Sequence, residues 1–312
     1  MIVARSLQEI NHQANSVVTV GTFDGIHVGH RTIINELITR ARKRDGRSVV
    51  VTFDPHPREV VGRGPVKLLS SLDERLDMFK QLGVDAALVL QFTYEFSRQT
   101  SFEFYERYVV NGVGVKEVIV GYDHMFGRDR EAGVKELQQM GAQIGFSAIA
   151  VPPVSMNGEV ISSSRIREYL MRGDVEKTEQ LLSRPYSLEG TVVQGDKRGA
   201  SLGFPTANIR PLFENKLVPA EGVYFVQVDL NNQQLFGMLN IGVRPTFHNE
   251  LKRVIEVNIF DFNEVIYGNV LRIHFVKRLR AEKKFSSKEE LIAQLTRDRN
   301  ECIKFMTTVQ PS

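Results

Sequence analysis

Short apolar runs alternate with amphipathic stretches through the first half of the chain. Val17–Val20, Ser48–Phe53, Ala86–Leu90, Glu117–Gly121 and Phe146–Val151 are apolar or β-branched and read as strands covered on both faces. Between them, apolar residues recur at helical spacing near 29–44, 72–82, 101–111 and 131–141. The first of these carries Ile33, Ile34, Leu37, Ile38 and Ala41 on one face. Such alternation predicts an α/β domain with a doubly wound, Rossmann-like parallel sheet, whose ligands bind beyond the carboxyl ends of the strands. Ser162–Met171 and Asp174–Leu182 read as two further helices, ended by Ser183-Arg184-Pro185.

Past Pro185 the period changes. Tyr186–Val193, Gly222–Leu230, Gln234–Ile241, Val254–Phe260 and Val270–Val276 alternate or are β-branched, with turns such as Asn231-Asn232 between them. This predicts a C-terminal antiparallel β-barrel, followed by a charged terminal helix over Ser287–Asn300. The expected organisation is α/β followed by β, with domains at 1–184 and 185–312. A length of 312 residues suits two domains.

Composition narrows the setting. The net charge of +3 suits anionic small substrates and does not call for nucleic acid. The single cysteine, Cys302, excludes an internal disulfide and fits a reducing compartment. Polar residues interrupt Met1–Ser16, and no apolar run reaches the roughly 20 residues that span a bilayer. A cytoplasmic protein is expected, without membrane or nucleic-acid partners, monomeric or weakly oligomeric.

Chemistry concentrates where the first strand turns into the first helix. Gly21-Thr22-Phe23-Asp24-Gly25 leads into His27-Val28-Gly29-His30, placing two imidazoles on one face at the opening of a helix. Helix N-termini offer unpaired N–H groups and the positive end of the dipole, which together favour a phosphate. Gly29 lacks a Cβ, leaving room for close approach of a ligand. Nucleotidyl transfer needs such a site, because negative charge builds on nonbridging oxygens and no base is required when the nucleophile is itself a phosphate. Two surface histidines at a helix start is the plain alternative. Zinc on His27, His30, His56 and His124 is another, but neither a His-Glu-x-x-His spacing nor a cysteine pair is present. Asp54-Pro55-His56-Pro57 and Gly121–Gly127 follow two more strands on the same edge. Downstream, Ser162, Ser163 and Ser164 precede Arg165 and Arg167 at a helix mouth, either a clamp on β- and γ-phosphates or a capped helix with solvated arginines.

A second candidate opens the barrel half. Gly195, Gly199 and Gly203 surround Lys197 and Arg198, then Phe204-Pro205-Thr206-Ala207-Asn208 follows, with no Walker-type phosphate loop anywhere. Backbone N–H groups of such a segment can fold around phosphates. Thr206 and Asn208 share one face of an extended stretch and carry hard oxygens suited to Mg²⁺. A glycine-rich hairpin with a basic tip accounts for the same residues.

These motifs, in this order over about residues 20 to 285, resemble the bacterial bifunctional riboflavin kinase/FAD synthetase family. Its first half is related to class I aminoacyl-tRNA synthetases through the His-x-Gly-His element. The resemblance implies that His27 and His30 contact ATP phosphates beside Gly21, Phe23, Asp24, Gly25 and Gly29. It further implies that Ser163, Ser164, Arg165 and Arg167 belong to a mobile loop, and that Pro55, Pro57, Asp123 and Phe126 border the flavin. In the second half it implies a nucleotide on Gly195, Lys197, Arg198, Gly199, Gly203 and Pro205, with Mg²⁺ on Thr206 and Asn208. Glu256 would be the general base for a neutral ribityl hydroxyl, which gains from one. Four positions depart from the family pattern: Ser164 for threonine, His124 for an aromatic residue, Ala200 for arginine and Asn258 for histidine. The implied activity is riboflavin to FMN and FMN to FAD, each with ATP. A chain in which only the FAD synthetase half is active is one alternative. An RNA- or flavin-sensing regulator, resting on the basic runs Arg40–Arg44 and Lys277–Lys284, is another.

Overall fold

A computed structural model describes residues 1–62, 66–122, 133–195, 199, 202–245 and 251–309. The chain forms two compact units, Met1–Ser163 and Ser164–Ser312.

In the first unit β1 (Ile2–Ala4), β2 (Ser16–Val20), β3 (Ser48–Asp54), β4 (Ala86–Gln91), β5 (Val115–Gly121) and β6 (Ser147–Val151) form one sheet. All neighbours are parallel, in the order β1-β4-β3-β2-β5-β6. The helices are α1 (Val28–Lys43), α2 (Pro57–Val61), α3 (Leu72–Leu82), α4 (Tyr94–Ser97), α5 (Ser101–Phe104) and α6 (Val134–Ile144). A hairpin of β7 (Ser155–Met156) and β8 (Glu159–Val160) follows the sheet.

Alternate residues of the continuous apolar strands serve two separate cores. Val17, Val50, Ala87 and Ile119 pack with Ile34, Leu37 and Ala41 of α1 and Phe79 of α3. Val18, Val51, Leu88 and Val118 pack with Tyr105, Val109 and Leu137. Each fully buried Val, Leu, Ile or Phe is worth about 1.5–3 kcal/mol, so both helical layers are held firmly. From β2 the chain proceeds to β3 and β4 on one side, while β5 and β6 lie on the other. The reversal between β2 and β5 opens a crevice at the carboxyl ends of the strands, where the β2–α1 turn lies.

Three details depart from the periodicity. β1 is a three-residue edge strand with Ile2 and Val3 exposed, too short to register as a pattern. The stretch expected to be one helix over 101–111 is α5 continued by a π-helix, Tyr105–Val113, whose buried residues Tyr105, Val109 and Val113 are four apart. That spacing serves either turn width, so the sequence does not separate them. The basic run at the end of α1 is tied down: Arg40 pairs with Glu36 and Glu117, and Arg44 with Glu117.

The second unit, from Ser164, holds the remainder of α7 (Ser163–Arg172), α8 (Val175–Leu182) and a closed barrel. Its strands are β9 (Tyr186–Val193), β10 (Ala207–Pro211), β11 (Gly222–Leu230), β12 (Gln233–Pro245), β13 (Leu251–Ile259) and β14 (Val270–Arg280). They are antiparallel in the order β10-β13-β12-β11-β14-β9. The compact units divide at 163/164, ahead of the compositional break at 184. The two helices pack with the barrel, where Arg278 of β14 donates to the carbonyls of Arg172 (2.8 Å) and Glu221 (2.6 Å).

Asn231 and Asn232 both adopt left-handed φ (49° and 65°), the turn that joins β11 to β12 with the twist a tight hairpin requires. Tyr224, Val226, Leu239, Val257, Ile273 and Phe275 fill the barrel core. On the opposite strand faces Val223, Phe225 and Met238 pack with Cys302 of α9 (Lys288–Val309). Arg280 holds that helix through Asp298, with both Nε (2.9 Å) and Nη2 (2.8 Å) on one buried carboxylate oxygen. β10, which contains a proline and an arginine, is the barrel strand that periodicity did not reveal. Among the described residues no helix is long and apolar enough to cross a membrane.

Candidate active sites

The β2–α1 turn is built against its own backbone preferences. Phe23 and Ile26 take positive φ (50° and 37°), a conformation costing of order 1–3 kcal/mol in a non-glycine residue. Burial holds them there: Phe23 is 3% and Ile26 1% exposed, within the core shared with Phe79. Gly25 has φ +81°, and a Cβ on it would meet Leu69 at 2.8 Å.

Asp24 faces inward and acts as a support. Its carboxylate accepts the Leu69 N–H on both oxygens (2.9 and 3.1 Å) and the N–H and Oγ of Ser70 (2.9 and 3.1 Å). Ser70 Oγ in turn accepts the Gly25 N–H at 2.8 Å. Ser163, the last residue of the first unit, donates from Oγ to the Asp24 carbonyl at 2.9 Å.

His27 is the N-cap of α1, with Nδ1 accepting the His30 N–H at 3.3 Å. The two imidazoles stack, centroids 3.7 Å apart and planes 18° from parallel, and Phe23 meets His30 edge-on. A Cβ at Gly29 would lie 3.2 Å from the His27 ring, so glycine there makes room for the stacked ring. Among the described residues His30 Nδ1 is sheltered without a hydrogen-bond partner. Burial first, and the adjacent His27 second, hold the His30 imidazole well below its ordinary range. No acidic residue occupies the first turn of α1, so the positive end of its dipole is uncompensated. The arrangement is two stacked imidazoles at a helix N-terminus, a place that favours an anion.

At the next strand, Pro55 is exposed and follows a cis Asp54–Pro55 peptide, while Pro57 is half-buried at the first position of α2. His56 caps that helix: its Nδ1 accepts the Arg58 N–H at 3.1 Å, and Glu59 accepts the His56 N–H at 2.9 Å. Ser164 is exposed and Arg165 and Arg167 half-buried on α7, with Arg165 against Glu168 and over the Tyr169 ring. Within the described residues no cluster of three or more His, Cys, Asp or Glu is placed to hold a metal.

The barrel site takes shape across β10, β13 and β12. Glu256 stands opposite Asn208 on one side and Asn240 on the other, which puts the three side chains on one sheet face. Glu256 is half-buried on this face. Gly195 and Gly199 lack a Cβ where the chain packs closely on its own side chains and backbone. A Cβ at Gly195 would fall 2.0 Å from Asn208 Nδ2, and one at Gly199 would fall 3.0 Å from Thr206 Oγ1. Gly203 has φ +83° with open space beside it. Asn258, 6% exposed, donates Nδ2 to the Pro205 carbonyl at 2.6 Å and so holds the segment leading to Thr206. Asn208 and Glu256, paired across the strands, and Thr206 two residues before Asn208 offer hard oxygens, a donor set that fits Mg²⁺ carried on nucleotide phosphates.

Two family models divide the chain in the same way. That for FAD synthetase matches residues 9–165 and that for riboflavin kinase matches 182–306. The chain belongs to the bifunctional riboflavin kinase/FMN adenylyltransferase family. A family member of that name from Bacillus subtilis is 35% identical, over 96% of this chain and 95% of its own length. One from Listeria monocytogenes is 37% identical, over 95% of this chain and 94% of its own. One from Escherichia coli K12 is 35% identical, over 96% of both chains. A crystal structure from Streptococcus pneumoniae, named a macrolide-efflux protein, is 34% identical with a TM-score of 0.86, covering 96% of this chain and 97% of that one.

Of the residues named from the family resemblance, Asp123, Phe126, Lys197 and Arg198 lie outside the described residues, as do His124 and Ala200. Gly21, Gly25, His27, Gly29, His30 and Ser163 come together in the first unit, and Gly195, Gly199, Thr206, Asn208 and Glu256 in the second. Sequence reasoning missed the segment Leu69–Arg75, which supports the β2–α1 turn. Its signal was slight: Arg75 stands four residues before Phe79, on the buried face of α3.

Proposed function

We propose that the barrel unit transfers the γ-phosphoryl group of ATP to the ribityl hydroxyl of riboflavin. The parallel-sheet unit then transfers AMP from a second ATP to the resulting FMN. The products are ADP and FMN in the first reaction, FAD and pyrophosphate in the second.

The contrast between the two sites carries this reading. At the head of α1 the nearby carboxylate, Asp24, is committed to backbone N–H groups, and no acid occupies the first helical turn. The nucleophile there is the FMN phosphate, already an anion, so charge stabilisation suffices. With His27 Nδ1 accepting an N–H, the neutral ring carries its proton on Nε2 and donates from there to an α-phosphate oxygen. His30 assists as a second neutral donor, and Arg165 and Arg167 hold the departing pyrophosphate. Pro55, Pro57, Asp123 and Phe126 border the flavin.

The barrel site is built around a carboxylate instead. Glu256 takes the proton of the ribityl hydroxyl as the new O–P bond forms and ADP departs. Gly195, Lys197, Arg198, Gly199, Gly203 and Pro205 cradle the nucleotide, and Thr206 and Asn208 hold Mg²⁺. The metal, when bound, neutralises charge on the phosphates. The cytoplasm, where ATP is at hand and a lone cysteine stays reduced, is the fitting compartment.

The test separates the halves. Purified chain is given riboflavin with ATP, and in parallel FMN with ATP, with flavins resolved chromatographically. FMN from the first and FAD from both are expected. No FMN from riboflavin overturns the kinase assignment, and no FAD from FMN overturns the adenylylation assignment.

A further inference from the structure

Arg75 is a charged side chain in the interior of the first unit, 2% exposed. Its Nη1 donates to the Thr22 carbonyl at 2.7 Å and to the Thr52 hydroxyl at 2.9 Å. Nη2 donates to the Phe53 carbonyl and Nε to the Ser71 carbonyl, both at 3.4 Å. Thr22 lies in the turn that delivers His27 and His30. Phe53 immediately precedes Asp54-Pro55-His56-Pro57. One guanidinium therefore ties together the roots of two loops that leave neighbouring strands, β2 and β3.

The bonding is unusual for a buried cation. Among the described residues no carboxylate lies within ion-pair distance of Arg75; Asp24, Asp54, Glu59 and Glu74 act on it from farther away. Burying a charge against carbonyls and a hydroxyl costs more than placing an apolar side chain at that position of α3. What the guanidinium adds is geometry. Its planar fork presents donors in fixed directions, so it can span acceptors on two strands at once, which a lysine ammonium on a flexible stem cannot.

We propose that Arg75 is a positioning residue for adenylyl transfer, setting the spacing between the Thr22–His30 turn and the Asp54–Pro57 loop. The inference rests on the reading of the first unit as the FMN adenylyltransferase. In that reaction the first loop holds the α-phosphate of ATP and the second lies on the flavin side. Their separation fixes how the FMN phosphate meets the α-phosphorus.

The test uses the full chain with Arg75→Met, Arg75→Lys and Thr52→Val. FAD formation is followed with ATP and FMN varied independently, and FMN formation from riboflavin is measured on the same preparations. Thermal melting monitors the fold. Arg75→Met should lower kcat for FAD formation by about ten- to a hundredfold, as small misplacements of reacting groups do. KM should rise for both substrates, and FMN formation should stay at the wild-type level. Arg75→Lys should recover only part of the rate, and Thr52→Val should cost rate alone but add nothing on top of Arg75→Met. A folded Arg75→Met with wild-type kcat and KM values for FAD formation, whatever its melting temperature, overturns the inference. If Arg75→Met does not fold, wild-type kinetics in both Arg75→Lys and Thr52→Val overturn it equally. Wild-type chain that makes no FAD from FMN sinks the adenylyltransferase reading first, and is thereby told apart from a failure of Arg75.

Discussion

The Nδ1 of His27 accepts the backbone N–H of His30 at 3.3 Å while the two rings stack at 3.7 Å. One histidine therefore caps the helix that carries the other, and the pair forms a single rigid unit. On the proposed role of the pair, catalysis and local stability are coupled at this point.

Replacing His27 should expose both roles. In His27→Ala the helix loses its cap, worth about 1 kcal/mol, and the α-phosphate loses a donor, worth roughly 10²–10³ in rate. FAD formation from FMN should fall accordingly, while FMN formation in the barrel is unchanged. Equal losses of both activities would show that the effect is global unfolding.

His30 makes stability depend on pH. Its folded-state pKa lies well below the ordinary 6.5, chiefly through burial and also through His27. Between those two values the unfolded chain binds more protons, so stability rises with pH. The contribution is complete above about pH 6.5 and is lost as pH falls toward the depressed value. Denaturant midpoints from pH 8 to 5 should show this decline in wild type and a shallower one in His30→Gln. Parallel curves for the two proteins would rule out His30 as the source.

Much of this fold was legible in the sequence because its strands are continuous apolar runs between amphipathic helices. Val17–Val20 and Ser48–Phe53 admit little else once both faces are covered. The barrel hairpin at Asn231-Asn232 was marked by two residues that tolerate left-handed φ. The site was legible only where short polar motifs sit at strand ends. Its supports were not, since Ser70 and Arg75 reach the β2–α1 turn from some fifty residues away, a long-range contact that no local period encodes. The inward turn of Asp24 was hidden for the same reason: its partners, Leu69 and Ser70, are distant in sequence.

Glu256 offers a clean separation of the two activities. Glu256→Gln keeps the size and the register opposite Asn208 and Asn240 but removes the proton acceptor. FMN formation from riboflavin should fall by roughly 10²–10⁴, with FAD formation from supplied FMN retained. A variant that still phosphorylates riboflavin at the wild-type rate means that the base lies elsewhere.

Cys302 should report unfolding. Burial against Phe225 and the other apolar residues beneath α9, with Asp298 and Glu301 nearby, pushes its thiol up to about 12. At pH 8 the native thiol is protonated and covered, so iodoacetamide should label it at the rate at which α9 opens. Prompt stoichiometric labelling of native protein would contradict this packing.

Asn258 links the strand that bears Glu256 to the segment that bears Thr206. Its amide donates to the Pro205 carbonyl at 2.6 Å, and the side chain is 6% exposed. Asn258→Ala leaves that carbonyl without its partner, at a cost of about 1–3 kcal/mol if it stays buried. Because Thr206 directly follows, the loss should appear as a raised KM for ATP in riboflavin phosphorylation, with FAD formation unaffected. Asn258→His, the residue usual at this place in the family, retains a ring N–H donor and should restore most of the affinity. If Asn258→Ala merely lowers the melting temperature and leaves KM for ATP unchanged, the bond stabilises the barrel without ordering the nucleotide site. The KM for ATP in these two variants therefore measures whether the segment bearing Thr206 is held in place by this one amide.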